Sequence, residues 1–248
     1  MTGVDLALLV VAGYGAGLIG YITGMASLVS YPALLAVGLS PIVANATNTV
    51  ALVPVGVGST AQSGRVLLDG GRTRLVAAIG VSLVGGTVGA ITLLTAPPGV
   101  FVAVVPYLVA VASIALLAQP TLRRVAGHHA DRPWIWFAGL LMVSIYGGYF
   151  GAGAGIMLLA LAMVLTSEPY WRATLLKSLL LGASNLVAAV IFIATGNVHP
   201  TAAIAMGAGC LLGGWCGPPV VRRLPAGPLR IAVGIGGLGL AVWLAFRG

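Results

Sequence analysis

Two apolar runs are too long to cross a bilayer once, and they constrain the fold more than any other feature of the sequence. They cover residues 5–39 and 134–166. A straight helix of either length would measure about 50 Å, whereas the hydrocarbon layer of a bilayer is roughly 30 Å thick. Glycines cluster near the centre of each run. We therefore predict two broken-helix hairpins whose elbows, at residues 24–27 and 151–155, lie inside the membrane. Irregular backbone is tolerated there beside protein or a water-filled cavity.

The remaining apolar segments have ordinary spanning length. The 248-residue chain is 59% hydrophobic and 6% charged, with a mean hydropathy of +1.09. This composition excludes a soluble globular domain and a disordered chain, and it predicts an all-α polytopic membrane protein. The predicted full crossings are 42–62, 74–96, 99–118, 173–195, 199–218 and 228–246.

The arginines favour a topology in which both long runs return to the side from which they enter. If they do, ten loop arginines face one side, as the positive-inside rule requires, and if every segment crosses once they face both sides. We therefore predict six crossings and a basic cytoplasmic linker over 119–133. Both termini are predicted to lie on the outer side of the cytoplasmic membrane. The same placement between apolar spans argues against nucleic-acid binding. The ten are Arg65, Arg72, Arg74, Arg123, Arg124, Arg132, Arg172, Arg222, Arg223 and Arg230.

The two halves of the chain also match each other. At a shift of 127 positions Gly24 falls on Gly151, and at a shift of 128 the pattern over 83–89 falls on 211–217. Such a duplication with opposite entry of the hairpins predicts two repeats of inverted topology, each with one hairpin and three transmembrane helices. Secondary transporters are often built this way, with the substrate site at the repeat interface. The predicted repeats are 1–118 and 134–248.

Polar side chains inside the spans follow each hairpin. Their spacing of three or four residues places most of each set on one helix face. Polar groups in a span are costly, and two interpretations stay open: hydrogen bonds that hold the bundle together, and a shared substrate cavity. The first set is Asn45, Thr47 and Asn48, and the second is Thr174, Lys177 and Ser178.

The charged residues favour an anion over a cation as the substrate. Lys177 lies about five residues into an apolar segment, where it either snorkels to the basic side or adds positive charge to the cavity. The four acidic residues lie in loops or at segment ends: Asp5, Asp69, Asp131 and Glu168. A cation site or proton relay built on carboxylates is therefore disfavoured. Amides, hydroxyls and helix N-termini suit a small oxyanion.

The predicted substrate site combines the elbows of the two hairpins with the two sets of polar residues that follow them. The sequence has no nucleophile-elbow, zinc-protease or ATP-binding motif, so we predict neither an enzyme nor a cofactor. His128 and His129 lie in the linker without further ligands at metal-binding spacing, so we predict no metal site. The predicted substrate-binding residues are Gly24, Met25, Ala26, Ser27, Asn45, Thr47, Asn48, Gly151, Gly153, Gly155, Thr174, Lys177 and Ser178.

The order of these motifs resembles the TauE/SafE family of sulfite and sulfonate exporters. The resemblance rests on the glycine-rich elbow over 147–155, the Ala-Thr pair after each hairpin and the paired-glycine patterns near 85 and 213. The family's first elbow usually reads Gly-x-Gly-Gly-Gly, whereas here Met25, Ala26 and Ser27 follow Gly24. Side chains thus replace hydrogens where the backbone would approach a ligand, which bears on the substrate more than on the fold.

The resemblance implies a secondary transporter that exports sulfite, sulfoacetate or related organosulfonates across the cytoplasmic membrane by alternating access. A coupled proton or other ion would fit this function. Two alternatives stay open: an anion channel or permease for another small anion, and a non-transporting membrane protein. Small residues at four-residue spacing pack helices either within one chain or between chains, so both a monomer and a homo-oligomer are compatible with the sequence.

Overall fold

All regular secondary structure in the described residues is α-helical, which confirms the predicted fold class. The computed structural model describes residues 1–23, 25–68, 72–125, 133–221 and 226–247. The helices of these ranges are α1 (Gly3–Thr23), α2 (Ser27–Ala36), α3 (Pro41–Leu68), α4 (Arg72–Thr95), α5 (Pro98–Val125), α6 (Pro133–Tyr149), α7 (Ala154–Leu165), α8 (Tyr170–Ala194), α9 (Pro200–Val221) and α10 (Ala226–Arg247).

Both long apolar runs are broken at their glycine-rich centres, as predicted. The first run forms α1 and α2, the second forms α6 and α7, and the two helices of each pair pack together. The arms are unequal, with 21 and 10 residues in the first hairpin and 17 and 12 in the second. At 1.5 Å per residue the arms measure roughly 31, 15, 26 and 18 Å. The short arms reach about half the hydrocarbon thickness, whereas α1 is long enough to span it alone.

Several helices extend beyond the apolar segments that predict them. The segment over 42–62 lies in α3, which continues to Leu68, and the segment over 99–118 lies in α5, which continues to Val125. The first part of the predicted linker is therefore helical, and its residues 126–132 lie outside the described residues. Hydropathy reports where the bilayer ends, whereas a helix continues as long as its backbone hydrogen bonds do.

Long apolar helices and apolar outer surfaces together identify a multi-pass membrane protein. Large hydrophobic side chains on several helices point away from the bundle, among them Ile204, Trp215 and Phe246. In water such a surface would be costly, whereas lipid accommodates it. Among the described residues, four segments are long and apolar enough to cross a membrane: Gly3–Gly20, Arg72–Thr95, Gly99–Ala118 and Trp171–Ala194.

The helices pair across the two halves of the chain. The first helix of each half packs along the fourth helix of the other half, so that α1 pairs with α9 and α6 pairs with α4. In the same way α3 packs on α9 and α8 packs on α4, while α3 meets α8 and α5 meets α10. The division into two repeats and their inversion in the membrane stay predictions.

Glycines bring the paired helices into backbone contact. A Cβ atom on Gly213 of α9 would lie 2.1 Å from the carbonyl oxygen of Tyr14 on α1. A Cβ atom on Gly89 of α4 would lie 2.1 Å from the carbonyl oxygen of Ile145 on α6. No side chain fits at either position. Such close approach maximises dispersion and weak Cα–H···O contacts, which hold helices together in lipid.

Candidate functional site

The elbows of the two hairpins contact each other inside the bundle. A Cβ atom on Gly153 would lie 2.8 Å from the Cε atom of Met25 and 2.9 Å from the Cβ atom of Ala112 on α5. Gly153 and Met25 are both buried. The second elbow is therefore packed directly against the first. Gly24, which was predicted to belong to the first elbow, lies outside the described residues.

The second elbow depends on two glycines with a left-handed backbone. Gly151 and Gly153 have φ values of 76° and 81°, a region that side-chain-bearing residues rarely adopt. The N–H groups of Phe150 and Gly151 both donate to the carbonyl oxygen of Tyr146, at 2.9 and 3.1 Å, and thereby end α6. The Tyr146 hydroxyl donates to the carbonyl oxygen of Ala152. These bonds fix the turn that reaches the other hairpin.

A polar cluster joins α2 to α3 beside the first elbow. The Nδ2 atom of Asn48 donates to the Ser27 hydroxyl at 3.2 Å, and the Ser30 hydroxyl donates to Oδ1 of Asn48. All three side chains are buried. Two of the predicted site residues are thus bonded to each other, and the short arm of the first hairpin is held against α3.

Asn45 connects the polar stripe of α3 to the second hairpin. Its Nδ2 atom donates to the carbonyl oxygen of Tyr149 at 2.8 Å. A carbonyl only accepts, so this bond fixes the orientation of the amide and leaves Oδ1 as an acceptor. Among the described residues Oδ1 of Asn45 has no hydrogen-bond partner, although the atom is buried. The hydroxyl of Tyr31 is buried without a partner in the same way.

Aromatic rings hold the end of α6 between α2 and α5. The rings of Tyr31 and Phe150 meet edge to face with centroids 5.3 Å apart. Phe101 of α5 contacts the rings of Tyr149 and Phe150 at 5.6 and 6.1 Å. Edge-to-face contacts of this kind are favourable beyond the apolar area that they bury. They fix the position of the backbone that precedes the second elbow.

The polar residues predicted on the second half lie along α8, which packs on α3. The Ser178 hydroxyl donates to the carbonyl oxygen of Thr174 one turn earlier, at 3.0 Å. Lys177 is half-buried on the same helix. Near the start of α8 Arg172 forms an ion pair with Glu168, with a separation of 3.1 Å. The role of Thr174, Lys177 and Ser178 as substrate contacts stays a prediction.

Three further predicted residues have defined places in the fold. The Thr47 hydroxyl accepts the backbone N–H of His199 at 3.0 Å and ties α3 to the segment that leads into α9. Ala26 caps the N-terminus of α2, and its carbonyl oxygen accepts the N–H of Val29. Gly155 is buried in the first turn of α7. Whether any of them contacts a substrate stays a prediction.

Ser30, Tyr31 and the Tyr149 carbonyl are not among the residues that the sequence predicts for the site. Ser30 and Tyr31 follow Ser27 by three and four residues, so the three share one face of α2. That spacing was available in the sequence. The role of the Tyr149 carbonyl could not be read from the sequence, because nearly every residue carries the same backbone carbonyl group. Among the described residues no group of three or more His, Cys, Asp or Glu is arranged to hold a metal ion.

Comparison with known proteins covers both hairpins and the cluster between them. The sequence profile described as "Sulfite exporter TauE/SafE" matches residues 9–244. A curated relative, "Probable membrane transporter protein ORF9" of Sinorhizobium sp, is 29% identical over 217 residues, which are 86% of this chain and 81% of that protein. No solved structure matches the chain significantly. The chain thus belongs to the TauE/SafE sulfite exporter family of membrane transporters.

Proposed function

We propose that this transporter exports small sulfur-containing oxyanions, such as sulfite, sulfoacetate or related organosulfonates, across the cytoplasmic membrane. The observation that carries the proposal is the buried polar cluster of amides and hydroxyls where the two elbows meet. Hydrogen-bond donors in a site of low dielectric favour an oxyanion. Of the acidic residues that the structure describes, Asp5 lies in the first turn of α1 and Glu168 is paired with Arg172.

We further propose that transport proceeds by alternating access, in which two groups of helices move relative to each other. The backbone contacts of α1 with α9 and of α6 with α4 support this, because close glycine packing resists separation of those pairs. The first group would then contain α1 and α9, and the second α4 and α6, so that each combines helices of both chain halves. The contact of α3 with α8 lies between the two groups and would change during the cycle. The elbows would open and close at the substrate site.

Flux measurements in proteoliposomes test the substrate and the role of Lys177. We expect saturable uptake of sulfite and small sulfonates, and little uptake of acetate or chloride. Lys177→Ala is expected to reduce the sulfur-oxyanion flux about tenfold, as one charge-assisted contact would. Lys177→Arg is the matched control, because it keeps the positive charge.

The same experiment can contradict the proposal at two levels. A wild-type protein that carries no sulfur oxyanion would contradict the proposed substrate. Flux that Lys177→Ala leaves unchanged would remove Lys177 from the site and assign it to the membrane interface, where a lysine can snorkel. An anion channel differs in another readout, since only a carrier shows saturable counterflow.

A further inference from the structure

Two buried polar atoms beside the second elbow have no partner among the described residues. They are the hydroxyl of Tyr31 and Oδ1 of Asn45. Both side chains are only 1% exposed. A buried polar atom without a hydrogen bond is strongly unfavourable, so most such atoms in native proteins acquire a partner from a ligand or an ordered water. The two atoms therefore mark a place where another molecule is expected to bind.

The two side chains are held around the same short stretch of backbone. The Tyr31 ring packs against Phe150, and the Asn45 amide donates to the carbonyl oxygen of Tyr149. Tyr31 directly follows Ser30, which bonds to Asn48, and Asn45 lies one turn before Asn48 on α3. Tyr31 and Asn45 are therefore close along their helices to Ser30 and Asn48, the two residues whose bond joins α2 to α3. They flank the backbone that leads into the second elbow.

The two atoms differ in hydrogen-bonding chemistry, and a ligand that contacts both would have to match both. The Tyr31 hydroxyl can donate a hydrogen bond to an anionic oxygen. The Oδ1 atom of Asn45 is an amide oxygen and only accepts, and the bond from Nδ2 to the Tyr149 carbonyl oxygen leaves Oδ1 as the atom without a partner among the described residues. An anion that offers nothing but lone pairs would meet repulsion at Oδ1. An anion that carries its own O–H or N–H group would satisfy both atoms.

We propose that Tyr31 and Asn45 contact the substrate, and that the preferred substrate is a small oxyanion with a hydrogen-bond donor of its own. This inference rests on the function proposed above and narrows the substrate class of the same site. It covers hydroxysulfonates, aminosulfonates and singly protonated oxyanions.

A matched pair of substrates tests the acceptor role of Asn45. Isethionate and ethanesulfonate have the same charge and nearly the same size, and only isethionate carries a hydroxyl group. In proteoliposomes of the wild-type protein we expect the KM for isethionate to be about tenfold lower than for ethanesulfonate, since one satisfied hydrogen bond in a buried site has roughly this effect. Equal KM values for the two anions would overturn the inference.

A hydroxyl deletion tests the donor role of Tyr31. Tyr31→Phe keeps the ring against Phe150 and removes only the oxygen. We expect the KM for both sulfonates to rise about tenfold, while the melting temperature of the substrate-free protein stays the same or rises, because no hydrogen bond to a described residue is lost. The control is Tyr107→Phe on α5, whose side chain is 73% exposed. It should change neither quantity.

The outcomes separate the inference from the function on which it rests. If an ordered structural water is the partner of Tyr31, Tyr31→Phe will lower the melting temperature and leave the KM unchanged, and the inference fails. A wild type that transports sulfonates while Tyr31→Phe matches it in KM also overturns the inference alone. A wild type that transports no small oxyanion overturns the proposed function and the inference with it.

Discussion

Gly153 holds a left-handed backbone conformation in direct contact with the other hairpin. Its φ is 81°, and a Cβ atom there would clash with Ala112, whose own Cβ is fixed to the backbone of α5. Gly38 offers a natural comparison. Its φ is 88°, yet a Cβ atom there would meet no atom of the described residues within 4 Å. The two glycines share the backbone constraint and differ only in packing.

We predict that Gly153→Ala lowers the stability of the protein more than Gly38→Ala does. Both substitutions incur the cost of a positive φ, on the order of 1 kcal/mol. Gly153→Ala adds the displacement of α5 or of the elbow, which should cost about 1–3 kcal/mol more, as overpacking of a core does. Thermal unfolding in detergent measures the difference. Equal losses for the two variants would mean that the elbows are not in contact.

The residues of the site were only partly predictable from the sequence. Asn45 and Asn48 stood out because an amide inside an apolar span is rare and costly. Tyr31 did not, because a tyrosine beside Pro32 in an apolar run is equally typical of packing. What distinguishes Tyr31 is a buried hydroxyl with no partner in the described part of the chain, which depends on how α2, α3 and α6 assemble. That assembly is a property of the whole fold.

At the scale of the helices, the contact of α1 with α9 depends on glycine at single positions. Gly213 faces the backbone of α1, whereas a Cβ atom on the adjacent Gly214 would meet no described atom within 4 Å. We predict that Gly213→Ala destabilises the protein by about 1–3 kcal/mol, because the helices must separate. Gly214→Ala should be neutral or stabilising by up to about 1 kcal/mol, since alanine favours a helix.

Unfolding in detergent, followed for both variants side by side, checks this prediction. The two substitutions make the same chemical change at neighbouring positions of one helix, so differences in helix propensity cancel. A loss of stability for Gly213→Ala alone would support the α1–α9 contact. A loss of equal size for both variants would place that contact elsewhere on α9.

Helix existence was easier to predict than helix pairing. The breaks in the two long runs followed from glycine content and from length. The second break contains Gly151 and Gly153, and the first lies between Thr23 and Ser27. The pairing of α1 with α9 and of α4 with α6 did not follow, although the glycines on these helices were visible. A glycine pattern shows that a helix can pack closely and carries no information about its partner.

At the scale of the molecule, the topology in the membrane decides where the site opens. We predict that both termini lie outside the cytoplasm, because ten loop arginines would then share the cytoplasmic side. The side on which the N-terminus lies is the informative part of this prediction, because a helix of 21 residues such as α1 is also long enough to cross the whole membrane. Reporter fusions at each terminus measure the orientation. A cytoplasmic N-terminus with an external C-terminus would show that the first hairpin is not re-entrant.

Small oxyanions are proposed to pass where the two elbows meet, and counterflow tests this pathway most directly. Proteoliposomes loaded with unlabelled sulfite would be given labelled sulfite outside, for the wild type, Gly153→Leu and Gly38→Leu. We predict saturable counterflow for the wild type and Gly38→Leu, and at least a tenfold loss for Gly153→Leu in protein that is still folded, because a side chain at Gly153 fills the elbow contact. Counterflow by Gly153→Leu at the rate of Gly38→Leu would contradict the account and place the pathway elsewhere.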